Sequence, residues 1–401
     1  MTIYFKLKSF PQVSETFIVN NLVYAKQMGY DIKIYCNQYL GLQNSSQSAL
    51  LKEFNIENDV VKPFSFSTNK LKKLGQVLYI LGHFRVLKYV YAFYKTKRQK
   101  NLSPLATLYQ YKDFKNAIVH VHFNNALQPL IDLAKIGYIN PQCIITFHGY
   151  DAFLDAEKEF QRKYSDFYQN HVVAVTTNSN YLKQKVISLG VKASLISIVP
   201  IGFDFKKFKG IPKKSMSDKT CHLITIGRLV QLKGQIYVIK AVKELISQGI
   251  KIKYTIIGDG NYREALETEV ESLDLQKNVS FKGSKPQDEI IPYLQKSNLF
   301  MMSSTYDDKN GRREAFGLVS LEAQAMGLPV VGFNSGGFPE TLLEGKTGFT
   351  VEDRNIDQLA SKIKYLIDNP DLYASMSQEA IKHAQNFDHK HTTQQYLDLY
   401  K

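Results

Sequence analysis

Two rhythms of apolar and polar residues run along this chain and change places at regular intervals. Apolar runs of strand length, DIKIYC, AIVHVHF, CIITFHG, VVAVTT and SLISIVP, are separated by segments whose apolar residues recur three and four apart, over 14–28, 155–169 and 179–189. The second half repeats the pattern with CHLITIG, IKYTIIG, VSFKG, LFMMSS, LPVVGF and TGFTVE. Strands that are apolar throughout need cover on both faces, and their alternation with helices builds parallel sheets. The prediction is an α/β chain of two doubly wound, Rossmann-like domains. The stretch SIVPIGFDFKKF, punctuated by Pro200 and Gly202, marks the boundary. We expect domains over 1–200 and 201–375, with a helical tail over 376–401 whose Tyr396, Leu397 and Tyr400 pack back on the first domain. Doubly wound sheets bind ligands at the carboxyl ends of their strands, so two of them define a cleft.

One segment carries an unusual stripe. Over 71–94, Leu71, Leu74, Leu78, Leu81, Phe84, Leu87, Tyr91 and Tyr94 recur at helical spacing among basic residues. Core packing is the expectation for such a stripe, with a helix lying on a membrane surface as the alternative.

Composition narrows the function classes. The apolar fraction of 44% over 401 residues suits a globular chain with two cores. Cys36, Cys143 and Cys221 are scattered without metal or pairing spacing, which suits a reducing compartment. The start MTIYFKLKSFPQVSE has no signal-peptide core, and no uncharged run is long enough to span a bilayer, so a cytoplasmic chain is expected. The net charge of +14 is lopsided: residues 1–200 hold 24 basic against 12 acidic side chains, residues 201–401 hold 27 against 25. Between Asp59 and Asp113 there are eleven basic residues and no acidic one. That half therefore suits an anionic partner: a lipid surface, a nucleic acid or a phosphorylated acceptor. No nucleic-acid motif accompanies the charge, which argues against a nucleic-acid partner.

The chemistry concentrates at predicted strand ends. In EAFGLVSLEAQAMGLPVV, Leu318, Leu321, Ala325 and Met326 mark a helix beginning near Gly317 and stopped by Gly327 and Pro329. Glu314 precedes that helix and Glu322 lies about one turn inside it, so both can face one pocket at its N-terminus. Free amides there favour a phosphate. GRLVQLKG sets Arg228 and Lys233 in one loop, where two cations can converge on a phosphate pair. IIGDG supplies Gly258 and Gly260, whose lack of a side chain lets backbone approach a ligand. NSGGFPE places Gly336 and Gly337 before a short helix. In the first half, VHVHFN and TFHGYD put His120, His122, His148 and Asp151 at strand ends. Strand alternation sends His120 and His122 to the same side, so the choice between them stays open.

Together and in this order, GRLVQLKG, IIGDG, EAFGLVSLEA and NSGGFPE, with VPIGFD ahead of them, resemble the retaining glycosyltransferases of family 4, which have the GT-B fold. The resemblance implies a donor sugar on a nucleoside diphosphate, UDP or GDP, held mainly by the second domain without a cofactor or metal. Arg228 and Lys233 would meet the diphosphate with the amides of Gly317, Leu318 and Val319, and Gly258 and Phe316 would line the same site. Glu322 would accept from the ribose and Glu314 from the donor sugar. Similar enzymes carry histidines near sugar and acceptor, which makes His148 and His122 the candidates here. The opening FPQVSETFI resembles a subgroup that builds bacterial exopolysaccharides, with Ser14 as a cap for the helix beginning at Glu15. The chain lacks the family's Gly-Gly loop after the first strand, and Ser14 and Thr16 are the residues that could replace it.

The implied function is transfer of a sugar to a lipid-linked or polysaccharide acceptor in bacterial surface glycan synthesis, at the inner membrane face, where an anionic lipid surface is the expected partner of the basic half. A sugar-nucleotide epimerase of the same fold and a basic nucleic-acid-binding protein are the alternatives. A glycan phosphorylase is disfavoured by the short chain and the absence of an evident lysine site for pyridoxal phosphate.

Overall fold

The computed structural model describes residues 1–12, 15–82, 84–97, 101–215 and 220–401. The chain divides into two compact units, one of residues Met1–Thr177, Lys183–Ile198 and Thr393–Lys401, the other of Asn178–Leu182 and Val199–Thr392.

The first unit is built on seven strands: β1 (Thr2–Phe10), β2 (Asp31–Tyr39), β3 (Val60–Val61), β4 (Ile118–His122), β5 (Gln142–Thr146), β6 (Val172–Thr177) and β7 (Ile196–Ile198). They pair in parallel in the order β3-β2-β1-β4-β5-β6-β7. The second unit holds β8 (Thr220–Ile226), β9 (Lys251–Ile257), β10 (Val279–Phe281), β11 (Leu299–Met302), β12 (Val330–Phe333) and β13 (Gly348–Val351). Their order is β10-β9-β8-β11-β12-β13, again parallel. The strand order reverses between β1 and β4 and between β8 and β11. Those two points open the crevices in which such sheets take ligands.

The apolar runs explain the layering. In the second unit, neighbouring residues of one strand enter opposite cores: Leu223, Ile256, Met301 and Val331 pack on one face, Ile224, Ile257, Phe300 and Val330 on the other. Strands buried on both faces cannot alternate in polarity, which is why β11 and β12 read as unbroken apolar runs. In the first unit β4 is buried at all but its first position, so His120 and His122 stand inside a core strand.

Two helical expectations are revised. The single helix over 71–94 is two helices, Lys70–Leu81 and Phe84–Lys97, the first ending at Gly82. Its stripe is not core: Leu71, Leu74, Leu78, Leu87 and Tyr91 are exposed. The helical tail is likewise two helices, Pro370–Gln385 and His389–Asp398. Between them Phe203 donates its N–H to the Phe387 carbonyl at 3.1 Å and accepts from the His389 N–H at 2.8 Å, so the residues after Val199 occupy backbone groups a continuous helix would need. Tyr396, Leu397 and Tyr400 are buried in the first unit. No helix among the described residues is long and apolar enough to cross a membrane.

Candidate active site

In the second unit the loops after β8 and β11 lie against each other. Ser303 Oγ donates to the Lys233 carbonyl at 2.9 Å and the Thr305 N–H to the Leu232 carbonyl at 2.8 Å. This stitching brings the Lys233 ammonium onto the Glu314 carboxylate, which also accepts from Ser304 Oγ at 3.2 Å. Burial works to raise the Glu314 pKa, but Lys233, Ser304 and Arg228 outweigh it and hold the group below the usual carboxylate range. Glu314 is therefore an anion at neutral pH. Arg228 is exposed, with its carbonyl accepting from Gln235 Nε2 at 3.2 Å.

The helix predicted near Gly317 is Leu318–Ala325, with Gly317 as N-cap at φ 99°, a left-handed backbone that favours glycine. Ser320 Oγ donates to the Gly317 carbonyl at 2.8 Å, fixing the turn. The first amides of a helix have no partner within it, so Leu318 and Val319 offer donors beside Phe316 and Glu314. Glu322 sits one turn further on, buried, where Gln287 Nε2 donates to it at 2.8 Å. Burial raises its pKa to about 7, against smaller opposing effects of Gln287 and Lys207. The two glutamates thus have separate partners: Glu314 an ammonium, Glu322 an amide.

The glycines behave differently from expectation. A Cβ at Gly258 would fall on the Gly227 carbonyl oxygen, and one at Gly260 on that of Leu229. Their small size admits the neighbouring loop, which is tied by Gly227 N–H to Ile257 and Leu229 N–H to Asp259, each at 2.9 Å. Gly336 and Gly337 likewise lie on the carbonyls of Glu314 and Ala315, and the Gly337 N–H donates to the Glu314 carbonyl at 2.8 Å. The Gly-Gly turn therefore clamps the segment carrying Glu314. Sequence reasoning missed Gln287, Ser304 and Asp353, the last of which accepts from Arg313 Nη1 at 2.5 Å and from Thr305 Oγ1 at 2.6 Å. Gln287 begins a helix after a strand, the signal that pointed to Gly317, and could have been found by it.

The first unit gathers its histidines in a column. His120 and His122 stack at 4.2 Å between ring centroids, His122 and His148 at 5.3 Å, and His122 Nδ1 and His148 Nε2 share a hydrogen bond of 3.0 Å. His120 is anchored by the Tyr400 hydroxyl on Nδ1 and by Thr146 Oγ1 on Nε2 at 2.7 Å. The two histidines differ in their partners. His120 bonds to the core and the C-terminal segment, whereas His122 bonds to His148 and keeps a buried Nε2 with no hydrogen bond. Burial lowers all three pKa values, that of His122 to about 3 and those of His120 and His148 well below the ordinary range, so the column is neutral near pH 7. Asp151 shapes the loop by accepting from the N–H groups of Asn124 at 2.8 Å, His148 at 3.0 Å and Gly149 at 3.1 Å. Phe123, at φ 71°, and Phe17 flank the His148 ring at 4.5 and 4.6 Å. Glu15 is the N-cap of the helix Thr16–Gln27 and makes no side-chain cap bond; Ser14 lies outside the described residues.

Comparison with known proteins gives the family and the fold. A model of the Glycosyltransferase Family 4 matches residues 14–207, and one of Glycosyl transferases group 1 matches residues 207–383. The amylovoran biosynthesis glycosyltransferase AmsK of Erwinia amylovora is 27% identical over 374 residues, covering 90% of this chain and 89% of its own. WcaL of Escherichia coli K12, named for colanic acid biosynthesis, is 25% identical over 371 residues, with 90% of each chain covered. Among solved structures, Anabaena Alr3699/HepE in complex with UDP superposes with a TM-score of 0.73 at 20% identity, covering 100% of this chain and 99% of that one. A glycosyltransferase from Rickettsia africae does so with 0.69 at 21%, covering 100% and 97%. The two family models meet at residue 207 and together span nearly all of a chain that has the two-sheet fold, and on that ground it belongs to the family 4 glycosyltransferases with GT-B architecture.

Proposed function

We propose that the chain transfers a sugar from a nucleoside-diphosphate donor, UDP- or GDP-linked, to a lipid-linked or polysaccharide acceptor in bacterial surface glycan synthesis, with retention at the anomeric carbon. The observation that carries this reading is the Arg228, Lys233 and Glu314 cluster at the β8/β11 crevice, beside the N-terminus of helix Leu318–Ala325. Cleaving the bond between sugar and diphosphate develops negative charge on the leaving phosphate. Cations and helix N-terminal amides gathered at that crevice would stabilise this charge. Glu322 accepts from ribose hydroxyls and Glu314 from the sugar, while the neutral His122 and His148 hold sugar or acceptor hydroxyls by hydrogen bonds. No step is assigned to a metal.

Support for the donor class comes from relatives and neighbours. The Anabaena protein has been solved with UDP and with UDP-glucose, and a Mycolicibacterium smegmatis relative, 29% identical over 215 residues, is named as a GDP-mannose-dependent mannosyltransferase. The names of the Erwinia and Escherichia relatives support the exopolysaccharide setting. The deciding experiment is a thermal-shift screen of UDP- and GDP-sugars followed by product analysis. A true donor stabilises the fold by mass action. Transfer with the donor's anomeric configuration retained, and unaffected by excess EDTA, supports the proposal. No stabilisation by any such sugar, or an inverted product, overturns it.

A further inference from the structure

Helix Lys70–Leu81 turns its apolar face away from the protein. Asn69 Oδ1 caps it by accepting from the N–H groups of Leu71 at 3.0 Å and Lys72 at 3.1 Å, so the helix is firmly started. Its inner side is held by Ile80, fully buried, and by Gln76, whose Oε1 accepts from the Ser67 N–H at 2.8 Å. At about 100° per residue, Leu71, Leu74 and Leu78 fall within about 60° of one another and about 150° from Ile80. They are 80%, 56% and 61% exposed. Helix Phe84–Lys97 repeats the arrangement. Val86 and Phe93 are buried, Tyr89 packs on Tyr138 at 5.2 Å, and the opposite side presents Leu87, Tyr91, Lys88 and Lys95 to solvent. The side chains of Phe84 and Arg85 lie outside the described residues.

A core helix hides its leucines, and a helix merely soluble on the surface would not carry a row of them. Exposed leucines in register are a surface waiting for cover. The charge around them says what covers it. Lys70 flanks the leucine row, Lys72 and Lys73 are exposed in the same first turn, Lys88 and Lys95 are exposed on the second helix with Tyr91, and no acidic residue occurs from Val60 to Lys112. A second copy docking through the same face would set these lysines against each other. An anionic bilayer offers hydrocarbon for the leucines and phosphate for the lysines at one depth.

We propose that the outward faces of helices Lys70–Leu81 and Phe84–Lys97 are a membrane-docking surface that seats this unit on anionic phospholipid, with Leu71, Leu74 and Leu78 in the acyl boundary and the lysines at the headgroups. The surface does not depend on the donor reading, and it would bring a lipid-linked acceptor to the unit that carries the histidine column.

The test is flotation of the full chain with vesicles of phosphatidylcholine alone or mixed equally with phosphatidylglycerol. The expected result is binding to the mixed vesicles at low salt and loss at about 0.5 M salt, where charges separated by more than a few ångströms are screened. Lys70→Glu, Lys72→Glu and Lys73→Glu together should weaken binding by at least about a hundredfold, since each headgroup contact contributes about fivefold. Leu71→Gln, Leu74→Gln and Leu78→Gln together should weaken it comparably without altering the circular dichroism, because these side chains are exposed in the folded chain. A fluorophore on Leu74→Cys should shift to the blue on mixed vesicles, as simple electrostatic adsorption would not require. Failure of the wild type to bind at low salt, or binding indifferent to the leucine variant, overturns the proposal. So does leucine-dependent dimerisation without vesicle binding, which would identify a second copy as the cover. Donor stabilisation is read separately by thermal shift, so failure of either idea leaves the other standing or falling on its own data.

Discussion

The two units solve the problem of polar groups inside an α/β sheet in opposite ways. The first buries three neutral rings in and beside a core strand, His120, His122 and His148, with hydrogen bonds drawn from Thr146, Tyr400 and each other. The second sets a charged pair in its loops, Lys233 against Glu314, with Arg228 in solvent. Burial disfavours charge, so the deep column titrates below neutrality, while the loop pair compensates its own charges. Under the proposed function, the difference separates a site that would hold hydroxyls from one that would hold a diphosphate.

The sharpest test of that contrast is Glu314→Gln. Turnover with intact donor should fall about a hundredfold or more, while free nucleoside diphosphate binds at least as tightly, because Lys233 is released from its carboxylate. Single-turnover kinetics beside calorimetry separates the two effects, and weaker binding of the free nucleotide would contradict the sugar-facing role. On the histidine side, His120→Ala should destabilise the fold by about 2–4 kcal/mol in chemical denaturation, since it empties a buried site and takes away the ring nitrogen bonded to the Tyr400 hydroxyl. His122→Ala should cost less stability and more turnover. If the two variants behave alike, the division between anchor and working histidine is wrong. Next, Lys233→Ala should lower affinity for nucleoside diphosphates by about tenfold or more, and the exposed Arg228→Ala by less, with the Arg228 effect shrinking as salt rises.

Two buried groups carry the contrast into pH dependence, with opposite signs. Glu322 is raised by burial from 4.5 to about 7, so its neutral form is favoured by folding; that stability is present below pH 4.5 and lost as pH rises through 7. The proposed acceptor role needs the anion, so nucleotide-sugar affinity should rise about tenfold between pH 5.5 and 8, and Glu322→Gln should flatten the profile. Lys6 is fully buried in β1, donating to the Leu7 carbonyl at 3.0 Å and to Asn37 Oδ1 at 2.6 Å, and burial lowers its pKa from 10.5 to about 7. Its stability contribution is present above pH 10.5 and lost as pH falls through 7. Lys6→Met should therefore stabilise the protein by about 1 kcal/mol at pH 7, the lost hydrogen bonds offsetting part of the relief, with the gain vanishing near pH 10. Thermal melts across that range read it directly.

Strand composition and the residues after each strand were informative because they obey local rules. A strand covered on both faces must be apolar at consecutive positions, so VVAVTT and LPVVGF announced themselves, and VVAVTT matches β6 end to end. Parallel order then requires crossovers, and the residues after each strand lie at its carboxyl end, which made Arg228, Lys233, Glu314 and His148 candidates from the sequence, with His122 favoured over His120 only by the family resemblance. Helical spacing, by contrast, reports that apolar residues share a face without saying where the face points. The leucines of 71–81 have the periodicity of a core helix, and only Ile80, seated on the other side, turns them outward. The glycines of IIGDG and NSGGFPE were read as room for a ligand, and packing assigned that room to the loops beside them. Tyr400 on His120, Gln287 on Glu322 and Lys233 on Glu314 join residues 280, 35 and 81 positions apart. Such contacts leave no local trace, because a hydrogen bond depends on distance in space while sequence patterns record only distance along the chain. The order of residues was enough for two parallel sheets and for naming candidate groups at their strand ends; which groups meet, which stay charged and which face outward followed from burial and packing across the folded chain.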